Sequence, residues 1–313
     1  MHTPAPSASS ASPDSTIHAA LGRIASTCPA WDRGWCAAAA CILEATAPKP
    51  GNVHPGAAFD DLTHDELVAA AVAIAPVLER AVDLPLGRTI LDAVEASRRV
   101  TRSNANLGMI LAIAPLAAIP DGPPDAAGAA AVLAGLGATD AADVWRAIAT
   151  ARPGGLGSSP RWDVGGPPPA DVLAAMRLAA PRDRIAALWA DGYAALGTGL
   201  VADLASELAT ARDVRDAIVR AFRAELARSP DSLIARRHGP AVAARVSAEA
   251  AAVLAAGPAW RDAVRRFDEG LRTPVRVNPG TTADLVAAAL YILLRDPARR
   301  PLFADLLEPS PPA

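Results

Sequence analysis

The chain has 313 residues, 51% of them hydrophobic, 20% charged and only 4% aromatic, with a formal net charge of -3 and a pI near 6.0. That length and apolar content suffice for a large buried core, whereas the slightly acidic balance offers no basic face to a nucleic-acid backbone. The apolar runs 107–119, 126–138 and 285–294 fall short of the roughly 20 residues that span a bilayer, so no membrane partner is expected.

In chain order, the segment 1–15 lacks the basic start and apolar middle of a secretory signal; residues 1–16 read as a disordered leader. Ala, Leu and Val at helical spacing predict helices near 17–46, 63–81, 86–101, 107–119, 125–136 and 140–151. A second series is predicted near 170–179, 182–208, 212–228, 232–238, 240–256, 259–271, 282–295 and 299–307, with Gly192, Gly197 and Gly199 as candidate breaks in its longest member. In the helix near 282–295, Leu285, Ala289 and Ile292 recur at i, i+4 and i+7, widened by Val286, Leu290 and Leu293 into an apolar stripe. With no strand series, the expected fold is all-α: a single compact multi-helix bundle over 17–308, followed by a frayed tail at 309–313.

The Gly/Pro-rich loop 152–169 separates the two series and reads as a linker or lid. It lacks the Lys-Ser/Thr ending and preceding strand of a P-loop. Cys28, Cys36 and Cys41 form an odd set without metal-site spacing. They are expected to be reduced, with Cys36 and Cys41 as small buried side chains, which points to the cytoplasm.

Against this apolar background, four polar clusters fall at predicted helix ends. After the helix ending near Thr46, Pro48 and Pro50 forbid continuation and leave Lys49 at the exit, with Glu44 upstream and Gly51, Asn52, Val53 and His54 following. A cation there either complements the macrodipole or serves a site. The second cluster is Ser103-Asn104-Ala105-Asn106-Leu107-Gly108. One asparagine is a natural N-cap; the other suits a purine edge or ribose, with Gly108 permitting close approach. The third runs from Pro230 to Gly239. Asp231 is a plausible N-cap and Arg237 a planar fork for phosphate, while Arg236 and His238 read as exposed neighbours. The fourth is Asn278-Pro279-Gly280-Thr281-Thr282-Ala283-Asp284-Leu285. Here a capping box from Thr281 to Asp284 competes with an anion seat at the helix N-terminus. Asp60 and Asp61 complete the carboxylates near Lys49, and His54 is either a base near neutral pH or a turn histidine.

The wording of these clusters resembles the triphosphoribosyl-dephospho-CoA synthase family from about residue 35 to residue 294. Glu44 with Pro48-Lys49-Pro50-Gly51 is similar to the family's Glu followed by Pro-Lys-Pro-Gly. The 278–287 segment is similar to its Ser-Pro-Gly-Gly-Ser-Ala-Asp-Leu-Leu-Ala, and Asp231-Ser232 with Arg237 and Gly239 to its Asp-Thr and Arg-Gly-Gly. The family's Asn-Thr-His-Lys-Gly is reduced to Asn104-Ala105-Asn106-Leu107-Gly108. Its Gly-Ala-His-x-Asp-Met is matched only by Gly56-Ala57-Ala58-Phe59-Asp60-Asp61, so two His and a Lys are replaced. The chain therefore looks like a divergent branch, similar to relatives in archaea and in bacteria that use tetrahydromethanopterin.

The resemblance implies a transferase that moves the triphosphoribosyl group of ATP to a hydroxyl acceptor, dephospho-CoA in the family, and releases adenine. The expected partners are ATP and a small-molecule acceptor, with a homodimer left open. On this reading Glu44, Asp60 and His54 are the catalytic candidates, and Asp61, Asp231 and Asp284 would hold Mg²⁺ supplied with ATP. Lys49, Gly51, Asn104, Asn106, Gly108, Arg237, Gly280, Thr281 and Thr282 would bind the nucleotide. The rivals are another transfer or condensation on a phosphorylated substrate in tetrahydromethanopterin-type cofactor synthesis, and a noncatalytic nucleotide-binding helical module.

Overall fold

The computed structural model describes residues 31–154 and 161–304, which form an all-α body. In chain order its helices are α1 (Arg33–Thr46), α2 (His64–Glu79), α3 (Leu86–Val100), α4 (Leu107–Ala117), α5 (Ala126–Ala134), α6 (Ala138–Ala151), α7 (Val172–Ala179) and α8 (Arg184–Ala190). There follow α9 (Ala194–Thr210), α10 (Val214–Arg228), α11 (Ser232–His238), α12 (Pro240–Leu254), α13 (Trp260–Arg272), α14 (Gly280–Arg295) and α15 (Pro301–Ala304). Among the described residues there is no strand; isolated bridges His54–Ala57 and Phe59–Leu62 shape the loop before α2. The predicted leader, tail, Cys28 and the start of the first predicted helix lie outside the described residues. No single described helix is long and apolar enough to cross a membrane.

Helix α14 is the axis of the body, packing against α1, α4, α9, α10 and α11. The predicted stripe is too narrow for it. Ala287 and Ala288 are buried as fully as Leu285 and Ala289, because neighbours enclose it on nearly every side. Small residues allow this closeness. At Gly34 of α1 an added Cβ would lie 2.2 Å from the Ala75 carbonyl oxygen of α2, so these helices touch backbone to backbone. Cys36 and Cys41 are buried free thiols in the same helix, and burial pushes the Cys36 thiol up to about 12.

The predicted 182–208 helix breaks at Gly192 (φ +63°) and Tyr193 (φ +70°), and the two arms, α8 and α9, are bent by 105°. Gly197 and Gly199 do not end α9; they lie in a π-turn, Gly197–Val201. The break answers a defect elsewhere. Pro115 inside α4 has no N–H, so the carbonyl of Leu111, four residues earlier, loses its helical donor within the core. The Trp189 indole N–H donates to that oxygen at 2.9 Å, and the Tyr193 hydroxyl donates to Ala112 O at 2.8 Å. A sharp turn at 191–193 brings both donors to one place. Replacing Trp189 by Phe should therefore cost about 1–3 kcal/mol of stability in urea denaturation, the penalty of an under-satisfied buried carbonyl. An unchanged midpoint would rule out this role.

Candidate functional site

A cavity of about 880 Å³ opens where several helix ends meet. Its wall is made by the start of α4, one side of α6, the loop on either side of residues 155–160, parts of α7, α8 and α11, and the first turn of α14. Of the sequence-predicted site residues, Asp61, Asn104, Gly108, Arg237, Thr281 and Asp284 line it. Thus three of the four clusters supply lining residues, and the first supplies none.

Asp284 carries the strongest chemical signal. It lies one turn into α14, faces the cavity, and its carboxylate has no hydrogen-bond or ion-pair partner among the described residues. Burial, together with the nearby carboxylates Glu44, Asp231 and Asp183, holds its pKa well above the usual carboxylate range against the opposing pull of Arg236. The carboxylate rests on Gly108, where an added Cβ would stand 1.9 Å from Asp284 Oδ2. Gly108 is therefore glycine to make room for a carboxylate, whereas the sequence suggested room for ligand.

Asp231 plays another part. Its Oδ1 caps α11 by accepting from Leu233 N at 2.8 Å and Ile234 N at 3.1 Å, while Oδ2 accepts from Thr282 N at 2.7 Å and Thr282 Oγ1 at 2.8 Å. Both oxygens of this fully buried residue are spent holding the start of α11 to the start of α14. The predicted Thr281–Asp284 capping box does not form: α14 has no side-chain cap of its own, and its donor is satisfied from the neighbouring helix. Thr281 Oγ1 instead accepts from Ser232 Oγ at 3.1 Å. Thr282 is buried and Gly280 packs on Leu233, so neither lies on the cavity wall.

The first cluster sits behind that wall. Lys49 is fully buried; its ammonium donates to the Glu44 and Ala47 carbonyls and stands 2.8 Å from Glu44 Oε1. A lysine whose three donors all have internal partners ties off the end of α1 and does not reach a polyphosphate. Glu44 is itself buried, and desolvation raises its pKa although Lys49 pulls it down. Gly51 (φ +75°) packs where a Cβ would meet Val277 O at 2.7 Å, so it serves a turn and a close approach. His54 Nδ1 contacts the Pro55 carbonyl at 2.9 Å, burial lowers its pKa, and it is absent from the wall. Asp60 is exposed and also lies off the wall. Asp61 pairs with Arg276 at 2.7 Å, and that hydrogen bond lowers its pKa.

The two asparagines differ in what they do. Asn104 Oδ1 accepts from Leu107 N at 3.1 Å and starts α4 from the cavity edge. Asn106 is buried, with Oδ1 accepting from Ser97 Oγ at 2.7 Å and Nδ2 unpartnered, and it does not line the cavity.

Sequence reasoning missed most of the cationic wall. Among the described residues, eight arginines line the cavity against four aspartates, although the chain as a whole is slightly acidic. Arg237 and Arg152 have no hydrogen-bond or ion-pair partner among the described residues, whereas Arg236 is half-buried and paired with Asp183, the N-cap of α8. The loop read as a linker or lid supplies Arg152, Gly154 and Trp162 to this wall, and Trp145 Nε1 donates to Asp163 O at 3.2 Å, tying it to α6. Arg276, two residues before Asn278, was a signal available in the sequence. Such an excess of guanidinium favours a polyanion.

Among the described residues no group of three or more His, Cys, Asp or Glu side chains is placed to hold a metal ion. Of the three expected ligands, Asp231 is committed to two helix starts and Asp61 is paired with Arg276, whereas Asp284 has no hydrogen-bond or ion-pair partner among the described residues. These residues do not build a protein cage for Mg²⁺. An octahedral Mg²⁺ at this wall would need most of its oxygens from outside these side chains.

The raised pKa of Asp284 makes a prediction about stability. The native state holds its proton more tightly than the unfolded chain, so its contribution is fully present below the unfolded pKa, near 3.9, and is lost as pH rises through the folded pKa. Asp284→Asn should therefore be more stable than the parent at pH 8 in urea denaturation, with the difference shrinking toward pH 4. A variant less stable at pH 8 would contradict this.

The sequence profile of the ATP:dephospho-CoA triphosphoribosyl transferase (CitG) family matches residues 30–301. No curated protein sequence matches the chain significantly. Among solved structures, the fold is similar to that of an Archaeoglobus fulgidus protein described as a triphosphoribosyl-dephospho-CoA synthase. The TM-score is 0.57 and the identity 21%, over 74% of this chain and 99% of that one. At that identity the likeness speaks for the fold alone, but the profile runs from before α1 into α15 and takes in all four clusters. The chain therefore belongs to the ATP:dephospho-CoA triphosphoribosyl transferase family, a family of transferases.

Proposed function

We propose that the cavity binds ATP as its magnesium complex and transfers the triphosphoribosyl group to a hydroxyl of a dephospho-CoA-like acceptor, with adenine leaving. The observation that carries this reading is the presence, on one wall, of a carboxylate, Asp284, and two guanidiniums, Arg237 and Arg152, that have no hydrogen-bond or ion-pair partner among the described residues. In the reaction the bond from C1′ to the adenine nitrogen breaks and a bond from C1′ to the acceptor oxygen forms. The hydroxyl loses its proton and adenine leaves carrying one, so the balance needs no further reactant.

Breaking an N-glycosidic bond develops positive charge at C1′, which a carboxylate stabilises. Asp284 is the group for the reacting centre. As the carboxylate it accepts the acceptor's hydroxyl proton, and a pKa raised toward the working pH suits that task. Arg237 and Arg152 take the triphosphate as paired-donor forks. Asp60 and Glu44, the residues expected from sequence for the reacting centre, are replaced in this reading because one lies outside the cavity and the other behind its wall.

Incubation with ATP, Mg²⁺ and dephospho-CoA should release free adenine, measured by chromatography. Release of ADP or AMP would overturn the proposal, and tight ATP binding without turnover on any hydroxyl acceptor would point to the noncatalytic module. Asp284→Asn should lower kcat by about 10²–10⁴-fold, the range for a lost acid–base group. Arg237→Ala should raise the KM for ATP by about tenfold or more, as expected for one charged hydrogen bond. The acid limb of the parent's kcat/KM profile should lie above the ordinary carboxylate range, because activity is lost as pH falls through the raised pKa of Asp284.

A further inference from the structure

Asn278 lies just before α14 on the cavity wall, and its side chain makes one bond: Oδ1 accepts from Asn52 Nδ2 at 2.6 Å. Its own Nδ2 has no partner among the described residues. Turning an asparagine amide end for end changes its shape little but exchanges donor for acceptor, so a neighbour decides which edge it presents.

That neighbour is held firmly. Asn52 is 5% exposed, its N–H donates to Lys49 O at 3.1 Å, and its carbonyl accepts from Arg272 at 2.7 Å. Arg272 is bound to Asp268 at 2.8 Å, and Asp268 also accepts from Gly51 N at 2.7 Å, so α13 clamps the turn from two sides. The absence of a Cβ at Gly51 brings this turn against the Val277 carbonyl and thereby against Asn278. Asn52 Oδ1 is buried and has no partner among the described residues.

We propose that Asn52 is a positioning residue: by donating to Asn278 Oδ1 it holds the Asn278 amide with its N–H₂ edge toward the cavity, where that edge donates to a phosphate oxygen of the bound nucleotide. This rests on the reading of the cavity as an ATP site. The phosphate assignment follows from the neighbours. Leu233 of α11 packs at Gly280, beside Asn278, and Arg237 lies one helical turn further along α11. Arg276, two residues before Asn278, lines the same cavity. The cluster Pro48-Lys49-Pro50-Gly51-Asn52, which does not touch the cavity itself, would thus act on substrate through one amide.

Calorimetric ATP titrations of the full chain test this with Asn52→Ala, Asn278→Ala, the double variant and Asn278→Asp. Asn278→Asp keeps an oxygen for Asn52 but removes the donor from the cavity. It should weaken ATP binding by about tenfold or more and leave adenosine binding unchanged. Asn52→Ala should weaken ATP binding severalfold in the parent and not at all in the Asn278→Ala background, whereas any loss of thermal stability should be similar in both. Equal, additive losses of affinity in the two backgrounds would assign Asn52 a purely structural role and overturn the inference. So would undiminished ATP affinity in Asn278→Asp, a result that does not depend on whether Asn52→Ala folds. A parent chain that binds no ATP would instead sink the nucleotide reading itself.

Discussion

The candidate site depends on a single buried carboxylate that touches no part of the cavity. Asp231 accepts four hydrogen bonds, two from the first turn of α11 and two from Thr282 of α14. Helix starts leave backbone N–H groups without partners and carry partial positive charge, so two of them brought together need a shared acceptor. Without Asp231 the starts of α11 and α14 would present unsatisfied donors to an apolar interior. With it, Arg237 on one helix and Asp284 on the other are fixed relative to each other.

This arrangement is electrostatically expensive for the folded chain. Asp231, Asp284 and Glu44 all have pKa values raised by burial, and Asp284 is raised further by the other two. Asp231 is compensated by hydrogen bonds and Glu44 by Lys49, while Asp284 has no hydrogen-bond or ion-pair partner among the described residues. The two partnered acids have their charge answered inside the body, and the one without a partner among the described residues faces the cavity. Groups that destabilise the native state in this way tend to persist where chemistry requires them.

A second constraint shapes the opposite side of the site. Pro115 releases a carbonyl in α4, and the donors that satisfy it, Trp189 and Tyr193, lie at the 105° bend between α8 and α9. Because α4 supplies Gly108 and α8 begins at Asp183, the same repair that rescues a buried oxygen also locates two parts of the cavity wall.

Much of the fold was legible from local pattern. Helical periodicity, Pro48 and Pro50 after α1, and Asp231 before α11 are effects within a few residues of chain, and they determined the all-α class, most helix positions and the four polar clusters. Tertiary structure alone decided which members of those clusters face the cavity. Lys49 and Glu44 satisfy one another inside the body, Gly51 and Gly108 make room for protein atoms, and the capping of α14 comes from a residue 51 positions away. It also gathered Arg152, Arg236 and Arg276 from distant segments into one cationic wall. The physical reason is that a local sequence specifies which polar groups a helix end exposes, but whether those groups meet a partner or stay free depends on the other helix ends packed against them.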